Sequence, residues 1–241
     1  MIRIDKYLAD CGIGTRSEVK KYIKAKQITV NASPVSKPEE KVDETKDVIC
    51  FKGQPITYEK YVYYLFHKPA GCVTAKQDNV HQTVMEYFPE DIRAKDIAPV
   101  GRLDLDTEGL LLLTNDGPLT HHLLSPAHHI PKTYYAILDK EVPMDAVEKF
   151  KEGVDIGDDK LTLPAELKIL PLGQDETGGS IYSAELTIHE GRFHQVKRMF
   201  EAVGCKVTYL KRLSMGTLTL GNLEKGDYRK LDLNVIESLQ K

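Results

Sequence analysis

Val100-Gly101-Arg102-Leu103-Asp104-Leu105-Asp106-Thr107-Glu108-Gly109 runs directly into Leu110-Leu111-Leu112-Leu113 and the turn Thr114-Asn115-Asp116-Gly117. An apolar run of four, closed by turn residues, reads as a fully buried strand. The bracketing glycines let the charged loop before it bend sharply, which fixes an arginine and an aspartate at the lip of a core. Such a loop can mount a reactive carboxylate. By itself it also describes a solvated connection whose surface ion pair contributes about 0–1 kcal/mol. Its meaning therefore depends on three other stretches: a basic helical hairpin at the N-terminus, the turn Lys68-Pro69-Ala70-Gly71, and Gly191-Arg192-Phe193-His194-Gln195-Val196-Lys197.

With 241 residues, the chain suits one small module and one larger domain. The net charge is only -3, so a nucleic-acid partner must be met by a local basic face. Cys11, Cys50, Cys72 and Cys205 are far apart and form no Cys-x-x-Cys pair, which argues against a disulfide framework or a structural zinc site. The N-terminus lacks the apolar segment of a signal peptide and no run is long enough to span a membrane, so a soluble cytoplasmic protein is expected.

Ile4, Tyr7, Leu8 and Cys11 recur at the spacing of one helix face, and Gly12 to Gly14 close that helix. Thr15-Arg16-Ser17-Glu18 is a capping-box pattern for a second helix, with Val19, Tyr22 and Ile23 as its buried side. Over residues 1–26, Arg3, Lys6, Arg16, Lys20, Lys21, Lys24 and Lys26 face only Asp5, Asp10 and Glu18. A charged helix face is commonly just solvated, but paired basic helices on a small sheet can also lie against a phosphate backbone. Gln27 to Val30 and Asp47 to Phe51 read as short strands. Arg3-Ile4-Asp5-Lys6-Tyr7-Leu8, Thr15-Arg16-Ser17-Glu18 and Ile28-Thr29-Val30-Asn31 resemble an S4 domain. That resemblance implies an RNA-binding module over residues 1–56, recognising structured RNA by shape and backbone, with 57–60 as linker and a second domain over 61–241.

In that second domain, Tyr61 to Phe66, Lys132 to Leu138, Leu161 to Leu170, Ile181 to His189, Ser214 to Leu220 and Tyr228 to Leu231 read as strands. Thr83 to Phe88, Pro118 to Leu124, Pro143 to Lys151, His194 to Val203 and Leu233 to Leu239 read as helices. Strands outnumber helices without regular alternation, which predicts an α+β fold on a largely antiparallel mixed sheet with flanking helices. Pro69 and Gly71 hold Lys68 at a turn, where it can meet a phosphate or simply end a strand. Arg192, Lys197, Arg198, Lys206, Lys211 and Arg212, set against Glu201 alone, make a second basic region. His121, His122, His128 and His129 invite a metal site, although adjacent histidines point apart and no cysteine or carboxylate stands at ligand spacing.

Four motifs in order carry a second resemblance. His67-Lys68-Pro69-x-Gly71, Gly101-Arg102-Leu103-Asp104 with Thr107-x-Gly109-Leu110-Leu111, Lys132-Thr133-Tyr134 and Gly191 to Met199 resemble the pseudouridine synthases, most closely the Rsu-type branch that modifies small-subunit ribosomal RNA. It implies an isomerase that breaks the bond from ribose to N1 of uracil, turns the base and joins C5 instead. Asp104 is implied as the nucleophile; whether it first attacks the sugar or works as a base at the ribose is open. Such a group must stay ionised where water is excluded, and Lys197 is implied as the cation beside it, where most of the superfamily carries arginine. Tyr134 is implied to stack on the flipped uracil and to help in proton removal at C5. Arg102 would fill the vacated space, while Arg192 and Lys68 would contact phosphate or position the substrate. Arg3, Lys6, Arg16, Lys20, Lys21 and Lys24 would be the module's RNA contacts, and Asp106 a structural neighbour. The reaction requires neither cofactor nor metal. The implied partner is ribosomal RNA, in a partly assembled small subunit, bound by a monomer without a membrane. Competing readings are the same chemistry on large-subunit RNA, a non-catalytic RNA-binding assembly factor, and a metal hydrolase built on the histidines.

Overall fold

Leu110, Leu111, Leu112 and Leu113 are all fully buried in the strand Glu108–Thr114, as their unbroken apolar run predicts. At about 1.5–3 kcal/mol for each side chain removed from water, this strand anchors everything attached to its start. In this computed structural model, described for residues 1–239, the chain divides into two units. One comprises Met1–Val62 with Pro89–Ile97; the other comprises Tyr63–Phe88 and the chain from Ala98 onward.

The first unit is built on the helices Ile4–Asp10 and Arg16–Lys24. The capping box forms: Glu18 N donates to Thr15 Oγ1 (3.3 Å) and Thr15 N donates to Glu18 Oε2 (2.7 Å). Ile4, Tyr7, Leu8, Val19 and Ile23 pack with Ile28, Val35, Val42 and Ile49 into one core. The strands Ser33–Pro34, Ile28–Val30, Ile49–Phe51 and Gln54–Ile56 lie in that order across a small sheet. Within residues 57–60, expected as linker, Tyr58 packs on this unit: its ring stacks on Tyr7 at 4.8 Å between centroids, and its hydroxyl donates to Asp10 (3.2 Å).

The second unit carries a mixed sheet whose main path runs Glu166–Ile169, Ser180–Ile188, Lys132–Leu138, Val207–Met215, Glu108–Thr114, Tyr63–Lys68 and Tyr228–Lys230. Glu108–Thr114 and Val207–Met215 are parallel, and the other pairings along this path are antiparallel. Gly109 explains how that junction closes. It faces Arg212 in register, at φ +109°, and a Cβ there would collide with the Arg212 backbone. Two expectations for this sheet need correction. Val207–Met215 begins seven residues before the expected Ser214, because Lys211 and Arg212 obscure its apolar pattern. The expected strand over 161–170 shrinks to Glu166–Ile169, since Thr162 is engaged elsewhere: its N donates to Val154 O (2.9 Å) and its hydroxyl accepts from Val154 N (3.0 Å).

Candidate active site

The loop before Glu108–Thr114 is held from beneath by Lys68, which ends the neighbouring strand. Lys68 is completely buried, and its Nζ donates to the carbonyls of Pro69 (3.0 Å), Asp104 (3.0 Å) and Thr107 (2.9 Å), with Leu105 at 3.5 Å. Burial pushes its pKa below the ordinary lysine value, while Asp106, Asp104 and Glu108 act in the opposite sense. The expected phosphate contact at Lys68 is therefore corrected: an ammonium with no solvent exposure, spent on carbonyls, supports the loop and cannot reach a phosphate. Three more bonds complete the mount. Thr74 Oγ1 donates to Leu103 O (2.8 Å) and accepts from Leu103 N (3.2 Å), and Gly71 N donates to Leu105 O (2.8 Å).

Above this mount, Asp104 turns a half-buried carboxylate toward the helix Gln195–Ala202. Lys197 Nζ stands 3.2 Å from Asp104 Oδ2, and His194 Nε2 stands 3.4 Å from Oδ1. Lys197 also donates to both oxygens of Asp106, at 2.7 and 2.9 Å. Burial works against the Lys197 charge, but Asp106 and Asp104 outweigh it and hold the ammonium above the ordinary lysine range. Asp106 is thus more than a neighbouring charge, because it shares the cation with Asp104. Sequence reasoning missed His194 as a partner. It adopts the left-handed conformation (φ 47°, ψ 33°) immediately before the helix, a geometry that no spacing rule announces for histidine.

The residues that set His194 in place come from the same motif. Gln195, almost fully buried, accepts from Arg192 N (2.9 Å) and donates to Glu190 (3.0 Å). Arg192 donates to Glu190 (3.0 Å), Lys160 O (2.6 Å) and Leu161 O (2.7 Å), with Asp158 at 3.4 Å. Its expected phosphate contact is corrected on that ground, since the guanidinium is spent in holding the 158–161 loop. The second basic region dissolves further: Arg198 pairs with Asp158, and Arg212 is buried with Nε donating to Leu110 O.

Asp104, His194 and Lys197 line a cleft of about 990 Å³, together with Arg102, Tyr134, Lys132 and Arg212. Arg102 is exposed at this cleft, whereas Tyr134 is largely buried in its wall. Tyr134 lies opposite Arg212 in the sheet register. Burial, followed by the nearby Arg212 charge, lowers the pKa of Lys132. Among the described residues, no group of three or more histidine, cysteine, aspartate or glutamate side chains is placed to hold a metal ion, so the His121–His129 cluster gathers no such set. Nor is any helix among them long and apolar enough to cross a membrane. In the other unit, Lys6, Arg16, Lys20, Lys21 and Lys24 are exposed, while Arg3 is held by Asp5 through two bonds of 3.1 and 2.9 Å.

One carboxylate poised between an ammonium and an imidazole, in a cleft roomy enough for a nucleotide, suits reaction at a sugar or base, and the class it defines is that of the RNA-modifying enzymes. A family model described as RNA pseudouridylate synthase matches residues 62–202, and one described as S4 domain matches residues 2–49. The ribosomal small subunit pseudouridine synthase A of Vibrio cholerae is 38% identical over the whole of both chains. The ribosomal large subunit pseudouridine synthase B of Bacillus subtilis is also 38% identical, over 100% of this chain and 96% of that one. A solved pseudouridylate synthase superposes with a TM-score of 0.68 at 36% identity, covering 99% of this chain and all of the other. The chain belongs to the RNA pseudouridylate synthase family, isomerases that convert uridine to pseudouridine in RNA, and carries an S4 domain ahead of the catalytic fold.

Proposed function

We propose that the protein isomerises a specific uridine of small-subunit (16S) ribosomal RNA, with Asp104 as the catalytic carboxylate. The observation that carries this reading is the Asp104 carboxylate bracketed by Lys197 and His194 in a cleft. Full-length similarity to small-subunit enzymes supports the target, and the exposed cations of the N-terminal helices support an RNA partner. The substrate is ribosomal RNA in a partly assembled subunit, met by a single chain in the cytoplasm.

The target base must first leave its stack, at a cost of a few kcal/mol. Arg102, exposed at the cleft, fills the space it leaves. Tyr134 stacks on the uracil, and Asp104 acts at the ribose while the bond from C1′ to N1 breaks. After the base turns, C1′ bonds to C5, the C5 proton departs and N1 takes one up, so the atoms of substrate and product balance. Lys197 keeps a negative charge tolerable inside the cleft, and Lys68 keeps the loop in place from below.

The test uses wild-type and Asp104→Asn protein on small-subunit and large-subunit RNA, each naked and partly assembled, with pseudouridine mapped by chemical adduct and primer extension. The wild type is expected to add a stop in small-subunit RNA and the variant none. No new stop with the wild type on either RNA, or equal stops with the variant, defeats the enzymatic assignment. A stop in large-subunit RNA alone moves the target, a real contest because that branch matches this chain at the same identity.

A further inference from the structure

The Phe193 ring has no part in the scheme above. It is 74% exposed, an unusual state for a phenylalanine beside a catalytic cleft, and it lines that cleft with Asp104 and His194. One of its faces is occupied by the His194 ring, with centroids 3.8 Å apart and planes 20° apart. That same imidazole reaches Asp104. The backbone leaves Phe193 little choice of position. Arg192 N and the Gln195 side chain are bonded to each other across it, and the left-handed turn at His194 follows at once. Two further apolar side chains of the cleft, Leu105 (41% exposed) and Leu124 (43% exposed), also stand open. Aromatic rings offered to solvent beside an RNA-processing cleft have a ready chemical counterpart in the flat face of an unpaired nucleobase.

We infer that Phe193 is a stacking platform for a nucleobase adjacent to the flipped uridine. The base adds a third ring to the stack formed by His194 and Phe193. Flipping a uridine strips its neighbours of a stacking partner, and this ring supplies a replacement at the cleft. The inference deepens the reading of the Asp104 cleft as the site of uridine isomerisation and rests on it. Phe193 binds and positions RNA; it does not touch the reacting atoms.

The chain contains no tryptophan, so Phe193→Trp installs a single indole reporter at a solvent-exposed position. The variant is titrated with a short oligouridylate, and separately with a ribose-phosphate oligomer of equal length that lacks bases, binding of both being followed by filter retention. Emission is expected to be quenched by the first and not by the second. In steady-state modification of small-subunit RNA, Phe193→Leu is expected to raise KM about tenfold with a smaller fall in kcat, and Phe193→Tyr to restore it. Equal emission changes with both oligomers, or no change while both bind, overturns the inference. So does a KM for Phe193→Leu within about twofold of wild type, the result expected if the ring serves a protein partner. If wild-type enzyme leaves small-subunit RNA unmodified, the proposed target fails, while the emission titration still decides the role of Phe193 because it requires only unpaired bases.

Discussion

The two basic stretches of this chain look alike as strings of lysine and arginine, but folding puts them to different uses. In the N-terminal helices, Lys6, Arg16, Lys20, Lys21 and Lys24 remain exposed. In the catalytic unit, Arg192 and Arg198 clip the 156–161 loop, Lys197 holds two aspartates, and Arg212 and Lys68 bond backbone carbonyls. The first set is available to a polyanion, whereas the second builds the site. Charge counts therefore cannot separate RNA-binding cations from structural ones; burial and partner identity can.

Lys68→Met probes the contrast most strongly. Removing a fully buried ammonium that several carbonyls share should cost about 3 kcal/mol of stability, measured by urea unfolding, because those oxygens lose their donor without gaining water. Turnover should fall by roughly two orders of magnitude or more as the Asp104 loop loses its support. The slope of RNA affinity against salt should not move. A slope smaller by about one, with stability unchanged, would return Lys68 to the phosphate-binding set.

The converse experiment replaces Lys20, Lys21 and Lys24 together by glutamine, which keeps helix propensity nearly constant. Stability should stay within about 0.5 kcal/mol, as for ordinary surface changes. RNA affinity should weaken by roughly tenfold near physiological salt, and its salt slope should fall by about two. An unchanged slope would mean that these side chains are merely solvated, and the contrast between the two stretches would lose its functional half.

What could be read in advance was mostly local. The Thr15–Glu18 box and the buried leucines follow from neighbours in the chain, and both form. Asp104 and Lys197 were joined through a family resemblance, and the structure brings them to 3.2 Å. The role of Lys68 is not legible because most of its partners are backbone carbonyls 36 to 39 residues further on, and a carbonyl leaves no mark in a sequence. The Val207–Met215 strand was masked by the same Lys211 and Arg212 that suggested a basic surface. Gly109 lets the loop bend, yet its strictest demand comes from Arg212 on a strand about a hundred residues away. Tyr58 does carry a local signal, since an aromatic residue between two domains is a candidate for packing, and it stacks on Tyr7.

Lys225 falls between the two classes and gives the finest test. Its side chain is 52% exposed, like the module's lysines, yet its ammonium lies 2.9 Å from Glu108, whose other oxygen accepts from Tyr209 at 2.8 Å. Burial alone would raise the Glu108 pKa, but the Lys225 and Tyr209 bonds outweigh it and hold the carboxyl below its ordinary 4.5. A carboxyl lowered in the folded state binds fewer protons there than in the unfolded chain, so its stabilisation is complete above about 4.5 and is lost as pH falls through the lowered value. With Lys225 half in water, screening limits the effect to about 1 kcal/mol or less, about 2 °C in melting temperature for a chain of this size. Glu108→Gln should therefore melt slightly below wild type at neutral pH, with the two curves converging once the pH drops below 4.5. A gap that persists undiminished into that acid range would mean that Glu108 contributes by packing alone, and Lys225 would join the outward-facing cations despite its short contact.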